Sequence, residues 1–162
     1  MLFRSGQIRA IETADIAGVS TNQVAALLTN QVAGLTTDQI TALSSTQLGQ
    51  LTTAAFAQLT STQLQSIVTG DIAGVTTSQI AGLSSAQVGQ FLTAQLAQFS
   101  SNQIQAIETG DVRGLTSSQI AGLSSNQVGQ LTTSQFVQLT SGQIRAIETA
   151  DIAGVSTSQI AG

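Results

Sequence analysis

Apolar residues fall along this chain in a fixed eight-residue rhythm. From Phe3 to Gly162 it divides into twenty consecutive octads without insertion or deletion, and their positions can be lettered a to h. Position a is Leu, Ile, Val or Phe throughout (Phe3, Ile11, Val19 and onward to Val155), as is position f, from Ile8 to Ile160. Position c is always Ser or Thr. Position e is Gln fifteen times, Asp four times (Asp15, Asp71, Asp111, Asp151) and Ala once (Ala55).

This spacing argues against strands. Residues on one face of a strand are separated by even numbers, whereas a to f is five and f to the next a is three. On a helix, f and the following a are i and i+3 and share a face. One continuous helix fails too, because eight residues advance about 800° and the apolar stripe would drift by about 80° per octad. The helix must therefore break once per repeat. The predicted fold is all-α: a solenoid of twenty octapeptide repeats, each a short capped helix and a turn, forming one array over residues 3–162.

The residues at the break suit it. Ser or Thr at b and c are N-cap types, accepting a free backbone N–H of the first turn. With b as cap, Gln at e stands at N3 and completes a capping box, as in Thr36-x-x-Gln39 and Ser124-x-x-Gln127. Positions a and f then occupy the two sites of a hydrophobic staple. Position b lapses seven times (Arg4, Glu12, Leu28, Val68, Leu92, Glu108, Glu148), and in those octads c is expected to cap instead. The helix is expected over d to h, for example 118–122. Gly74, Gly82, Gly114, Gly122 and Gly154 suit a left-handed exit. A helix this short does not hold alone in water, so the octads must stack and fold collectively.

A second rhythm overlies the first. Residues 67–106 match 107–146 at 25 of 40 positions. Forty residues is either one turn of a superhelix or the unit of a recent duplication, and the less regular upstream half leans toward duplication.

Composition then removes function classes. Charged residues make up 7% of the chain, the net charge is −4, and there are four Arg and no Lys. Binding to nucleic acid needs cations to neutralise phosphates, as does an anionic membrane surface; neither partner is expected. No apolar run reaches a membrane span, and Met1-Leu2-Phe3-Arg4 lacks the apolar core of a signal peptide. Phe3 already stands at position a, so the chain reads as a fragment of a longer array. Solenoids cover their ends with polar repeats. Here Met1, Leu2 and Phe3 open the first octad and an ordinary unit closes the last, so weak head-to-tail self-association is expected.

Candidate chemistry is sparse. Glu12 with Asp15, Glu108 with Asp111 and Glu148 with Asp151 are E-x-x-D pairs one helical turn apart. Calcium wants six to eight oxygens from a shaped loop, so these read as acidic first turns complementing the helix dipole. Arg9 with Glu12 and Arg145 with Glu148 read as solvated i,i+3 pairs. The Ser/Thr rows lack the base a nucleophile needs, since the chain has no His, Cys or Lys. All five Phe (Phe3, Phe56, Phe91, Phe99, Phe136) fall at a or f and read as core. The Gln rows at e and h are either side-chain ladders between coils or a neutral polar surface. No residue is expected to be catalytic, cofactor-binding or metal-ligating, and no cofactor is expected.

The unit LTTxQ(I/V)xx, as in Leu35-Thr36-Thr37-Asp38-Gln39-Ile40, resembles the octapeptide arrays of large bacterial secreted or surface repeat proteins. That resemblance implies a structural or spacer segment at an extracellular or cell-surface location. Leu-Thr-x-x-Gln-Val/Ile is also similar to the opening of the first helix in TAL-effector repeats. The likeness ends there: the period is eight, no base-reading loop exists and the surface is acidic. The alternative to a spacer is a scaffold that binds a repetitive ligand (peptide, glycan or an ice-like surface) through a Ser/Thr/Gln face.

Overall fold

A computed structural model describes residues 5–161 and is all-helical, with no strand among the described residues. Each octad contributes one helix. Among the described residues, sixteen are α-helical and four are 3-10 helices (Thr13–Gly18, Thr69–Gly74, Asp111–Gly114, Asp151–Gly154). The α-helices start at position c rather than d. In the octad singled out above, the helix is Ser117–Ala121, and Gly122 is its C-cap. The shift follows from the cap: with Thr116 as N-cap, residue c is the first to take helical angles.

Position b keeps the cap in every described α-helical octad where a cap can be read. In all thirteen octads where b is Ser or Thr, its oxygen accepts from the backbone N–H of residue e. The expectation that c takes over elsewhere is wrong. Leu28 and Leu92 still precede helices that start at Thr29 and Thr93. Only half the box survives there, the N–H of Leu28 or Leu92 donating to Oε1 of Gln31 or Gln95. Moving the cap by one residue would rotate f out of the core, and f outweighs a hydroxyl. Arg4 lies outside the described residues, as do Met1, Leu2 and Phe3. The four Asp octads are the four 3-10 helices, for a local reason. Their b residue is Glu or Val, and Asp is too short to reach back as Gln does. The turn tightens to i→i+3 bonds such as Asp71 N–H to Val68 O at 2.9 Å.

The octads fall into two compact units, Met1–Gly82 and Leu83–Gly162, divided between two octads. In the first unit, Thr21–Ala25 packs on Ser45–Gln50 and Thr37–Thr41 on Ser61–Ser66; in the second, Ser117–Ala121 packs on Ser141–Ala146. Each of these partners lies three octads further on. Bonds from the Gln amides at e to the preceding coil span 28 to 31 residues. Each unit is therefore a solenoid whose coil closes after between three and four octads. Forty residues is not a turn.

Burial gives the two apolar rows opposite directions. Position a is buried from Leu35 to Ile147, while Ile11, Val19 and Leu27 in the first coil are half-exposed. Position f is buried from Ile8 to Val128, and then Phe136 is half-buried and Ile144, Ile152 and Ile160 are exposed (40, 53 and 73%). Row a thus faces the preceding coil and row f the following one. Phe56, Phe91 and Phe99 are buried as expected, the last two in an edge-to-face pair with centroids 5.3 Å apart.

The glycines do not supply left-handed exits. No described residue has a positive φ, and Gly82 and Gly122 sit at −83° and −88°. They are required for close approach. A Cβ on Gly74, Gly114 or Gly154 would collide with the backbone of Ser45, Ser85 or Ser125 one coil away. A Cβ on Gly82 or Gly122 would strike the methyl of Thr53 or Thr93.

The seam between coils as the candidate functional site

The polar groups that converge in this molecule do so along the seam between coils. Position e is the key. Gln79 is 1% exposed and makes its bonds in two directions. Its Oε1 accepts the N–H of its own N-cap, Thr76, at 2.8 Å, while its Nε2 donates to the carbonyls of Leu48 and Leu51 at 2.8 and 2.7 Å. Leu48 and Leu51 stand at f and a of the preceding coil. Gln39, Gln47, Gln127, Gln143 and Gln159 repeat the arrangement. One side chain therefore caps its own helix and ties it to the coil before.

This settles the alternatives left open for the Gln rows. The e row is neither a Gln–Gln ladder nor a surface; it is an amide-to-backbone seam inside the core. Twelve of these Gln are buried, and no buried side-chain nitrogen or oxygen among the described residues lacks a partner. That satisfaction is what makes burying an amide tolerable. The h row is a different matter: Gln50, Gln58 and Gln98 are exposed.

Two departures from Gln show what the seam needs. Ala55 is buried and has no amide to offer. The carbonyls a Gln there would have tied belong to Val24 and Leu27, 31 and 28 residues before it. At Asp71 the direction of the bond reverses. Its carboxylate accepts the backbone N–H of Ser45, the first residue of Ser45–Gln50, at 2.9 Å. An anion placed there satisfies a free N–H and complements the dipole of a neighbouring helix. The same coils meet through Gly49 and Gly74, where a Cβ on Gly49 would lie 2.6 Å from the Gly74 carbonyl. Gly89 with Gly114 and Gly129 with Gly154 repeat the contact forty residues on each time.

The other candidates stay apart from the seam. Glu12, Asp15, Glu108 and Glu148 are exposed, and Asp111 and Asp151 half-exposed. In each E-x-x-D pair the Asp N–H donates to the Glu carbonyl at 2.8 to 2.9 Å, so the pair closes one i→i+3 turn at the entry to a 3-10 helix. Among the described residues no group of three or more acidic, His or Cys side chains is placed to hold a metal ion. Arg9 and Arg145 are exposed, and Arg113 Nε donates to the Gln138 carbonyl at 3.2 Å. The residues at d are exposed from Ala14 to Ser158 and differ from octad to octad. No described helix is long and apolar enough to cross a membrane.

Sequence reasoning found the caps and the two apolar rows and missed the seam. The signal was present in the near-invariance of e beside f, which a surface position would not keep. The Asp71–Ser45 and Gly49–Gly74 contacts, 26 and 25 residues apart, had no signal a single chain could give.

Comparison with known families returns a model described as the ALTTAQ repeat, which matches residues 8–45, 64–101 and 104–141. Those segments make up 114 of the 162 residues. Read as residues, that hexad spans positions h to e of the octad frame, as in Ala42-Leu43-Ser44-Ser45-Thr46-Gln47. No curated protein and no solved structure matches.

Proposed function

Because the chain belongs to the ALTTAQ repeat family, we propose that it serves as a structural spacer in a bacterial surface or secreted protein and has no catalytic activity of its own. One observation carries the reading: two regular polar rows, Gln at e and the hydroxyls at b, are engaged in holding the helices and coils. The Gln amides tie coil to coil and the b hydroxyls cap helices. Of the polar rows that face outward, position c stays Ser or Thr while position d, exposed throughout, changes from Ala14 to Asn22, Asp38, Gly70 and Ser118. A repetitive ligand needs a repeated contact, so this variation favours a spacer over a scaffold that grips peptide, glycan or ice. The burial of the e row also removes those Gln from any such gripping face.

The experiment is a binding survey with the whole chain against polysaccharides, collagen-like peptide and ice crystals. A spacer gives no saturable binding and no ice shaping. Saturable binding that disappears on changing the d row would replace the spacer reading with the scaffold.

A further inference from the structure

The row that the coils leave unexplained is position c. It is Ser or Thr in all twenty octads, whereas b departs from Ser or Thr seven times and e departs from Gln five times. Yet b and e make bonds that account for them, and c does not. It stands one residue after the cap, and no c hydroxyl among the described residues takes part in a hydrogen bond. From Thr13 to Thr157 every c residue is exposed or half-exposed. Shared copying does not explain the constancy, because the adjoining d has drifted to Ala at Ala14, Ala54, Ala86, Ala94 and Ala150. At c the oxygen is kept, and nothing inside the chain uses it.

Three features say what kind of chemistry does. Ser and Thr interchange at c, eight and twelve times, so the oxygen is required and the methyl is not. Within each unit the coil closes after between three and four octads. Successive c residues are therefore rotated by roughly a quarter to a third of a turn and face every side of the coil. A flat partner, whether a protein, a crystal face or a sheet of polysaccharide, touches one side and leaves the other c residues free to drift. Only chemistry that acts at each hydroxyl by itself meets them all. The residue after c is always Gly, Ala, Ser, Thr, Asn or Asp, which leaves room for a bulky substituent.

We propose that the c row is a set of O-glycosylation sites, each hydroxyl accepting one neutral sugar from a nucleoside-diphosphate sugar. The c oxygen attacks the anomeric carbon, the bond from that carbon to the diphosphate breaks, and the nucleoside diphosphate leaves. The hydroxyl proton passes to a base on the glycosyltransferase of the producing cell. Charge selects sugar over phosphate. Each phosphate adds about −1.5 to −2, and four Arg against eight acidic residues leave nothing to balance such a row on all sides. A neutral sugar adds no charge and supplies the solvation that a chain with 7% charged residues otherwise lacks. The b hydroxyls are withheld, because each oxygen already accepts an N–H of its own helix. The least open acceptors are Ser45, Ser85 and Ser125, half-buried where Gly74, Gly114 and Gly154 close on their backbone.

The test maps substituents on the protein taken from the cells that naturally produce it, by mass spectrometry with fragmentation that keeps O-linked groups in place. Sugar mass additions are expected at c, most fully at the exposed Thr53, Thr77, Thr93 and Ser117, and several-fold less at Ser45, Ser85 and Ser125. Position b is expected bare. Bare c hydroxyls overturn the proposal, as do additions spread evenly over b, c and d, or phosphate in place of sugar. A second measurement tests the premise that c is dispensable to the fold, on unmodified chain made in a host without the transferase. Thr77→Ala, Ser117→Ala and Thr133→Ala together should leave the urea midpoint nearly unchanged. Thr76→Ala, Thr116→Ala and Thr132→Ala together should lower it, because they remove three caps. A c triple that unfolds as early as the b triple shows that the fold itself keeps the hydroxyls, and the proposal falls. An unglycosylated c row leaves the spacer reading untouched.

Discussion

Replacing Gln79 by Ala isolates the seam, and its cost can be worked from the structure. Three hydrogen bonds disappear: the Thr76 N–H at 2.8 Å and the Leu48 and Leu51 carbonyls at 2.8 and 2.7 Å. A net hydrogen bond is worth about 0.5–1.5 kcal/mol, and a buried group left unpaired costs about 1–3 kcal/mol. The side chain is 1% exposed, so water does not readily replace it. A loss of about 3–5 kcal/mol is expected, a large part of the roughly 5–15 kcal/mol that holds a typical domain. Gln79→Met keeps the volume and loses the polar atoms; it should cost only about 1–2 kcal/mol less than Ala, the difference being the cavity. Ser78→Ala, one residue earlier and exposed, should fall within about 0.5 kcal/mol of the wild type. Urea unfolding followed by far-UV circular dichroism gives the midpoints, with the slope checked for loss of cooperativity. Gln79→Glu adds a pH test. A carboxylate facing two carbonyls is disfavoured, so the folded state holds the proton more tightly than the unfolded one. Stability should be greatest below the ordinary Glu value of about 4.3 and fall as pH rises through the raised folded value. Should Gln79→Ala cost no more than Ser78→Ala, the amide does not hold the coils and the argument fails.

Thr116→Ala should cost about 1 kcal/mol because its oxygen accepts the Gln119 N–H at 3.1 Å, whereas Ser117→Ala beside it should be near neutral; chemical denaturation separates them. Gly114→Ala should destabilise by about 2–4 kcal/mol, since the new methyl enters the Ser85 backbone. Gly110→Ala, with open space around it and φ −72°, should instead stabilise by about 0.4–1 kcal/mol, both read as melting shifts. Millimolar calcium should leave the melting temperature within a degree or so, and added salt should do little, because there are few charges to screen; a large upward shift with calcium would revive the E-x-x-D pairs as a site.

The pattern that was legible is the one a local helix imposes. The i,i+3 relation of f to the next a requires a helix, and the failure of eight residues to match its turn requires a break. Thirteen b hydroxyls then cap as their residue type suggests. What the pattern left open lies between coils. Whether Gln at e is surface or core depends on a carbonyl 28 residues away, and nothing in one octad says so. The glycines misled for the same reason: a Gly at a helix end normally marks a φ the chain needs, and here it marks a neighbour's backbone. Leu28 and Leu92 show the local rule yielding to packing, because the apolar rows fix the helix start even where no hydroxyl is present.

The bond from e to f and a also bears on how such a sequence changes length. Every octad that carries Gln supplies one donor backward and two acceptors forward, so a replication slip that adds or deletes whole octads leaves each surviving coil with a partner of the right kind. A slip of any other length throws row f to the solvent and is lost. The glycine contacts set a stricter rule, because Gly49 and Gly74 must stay 25 residues apart. Copying a block of forty residues keeps that spacing from one block to the next, so that Gly89 of residues 67–106 meets Gly114 of residues 107–146.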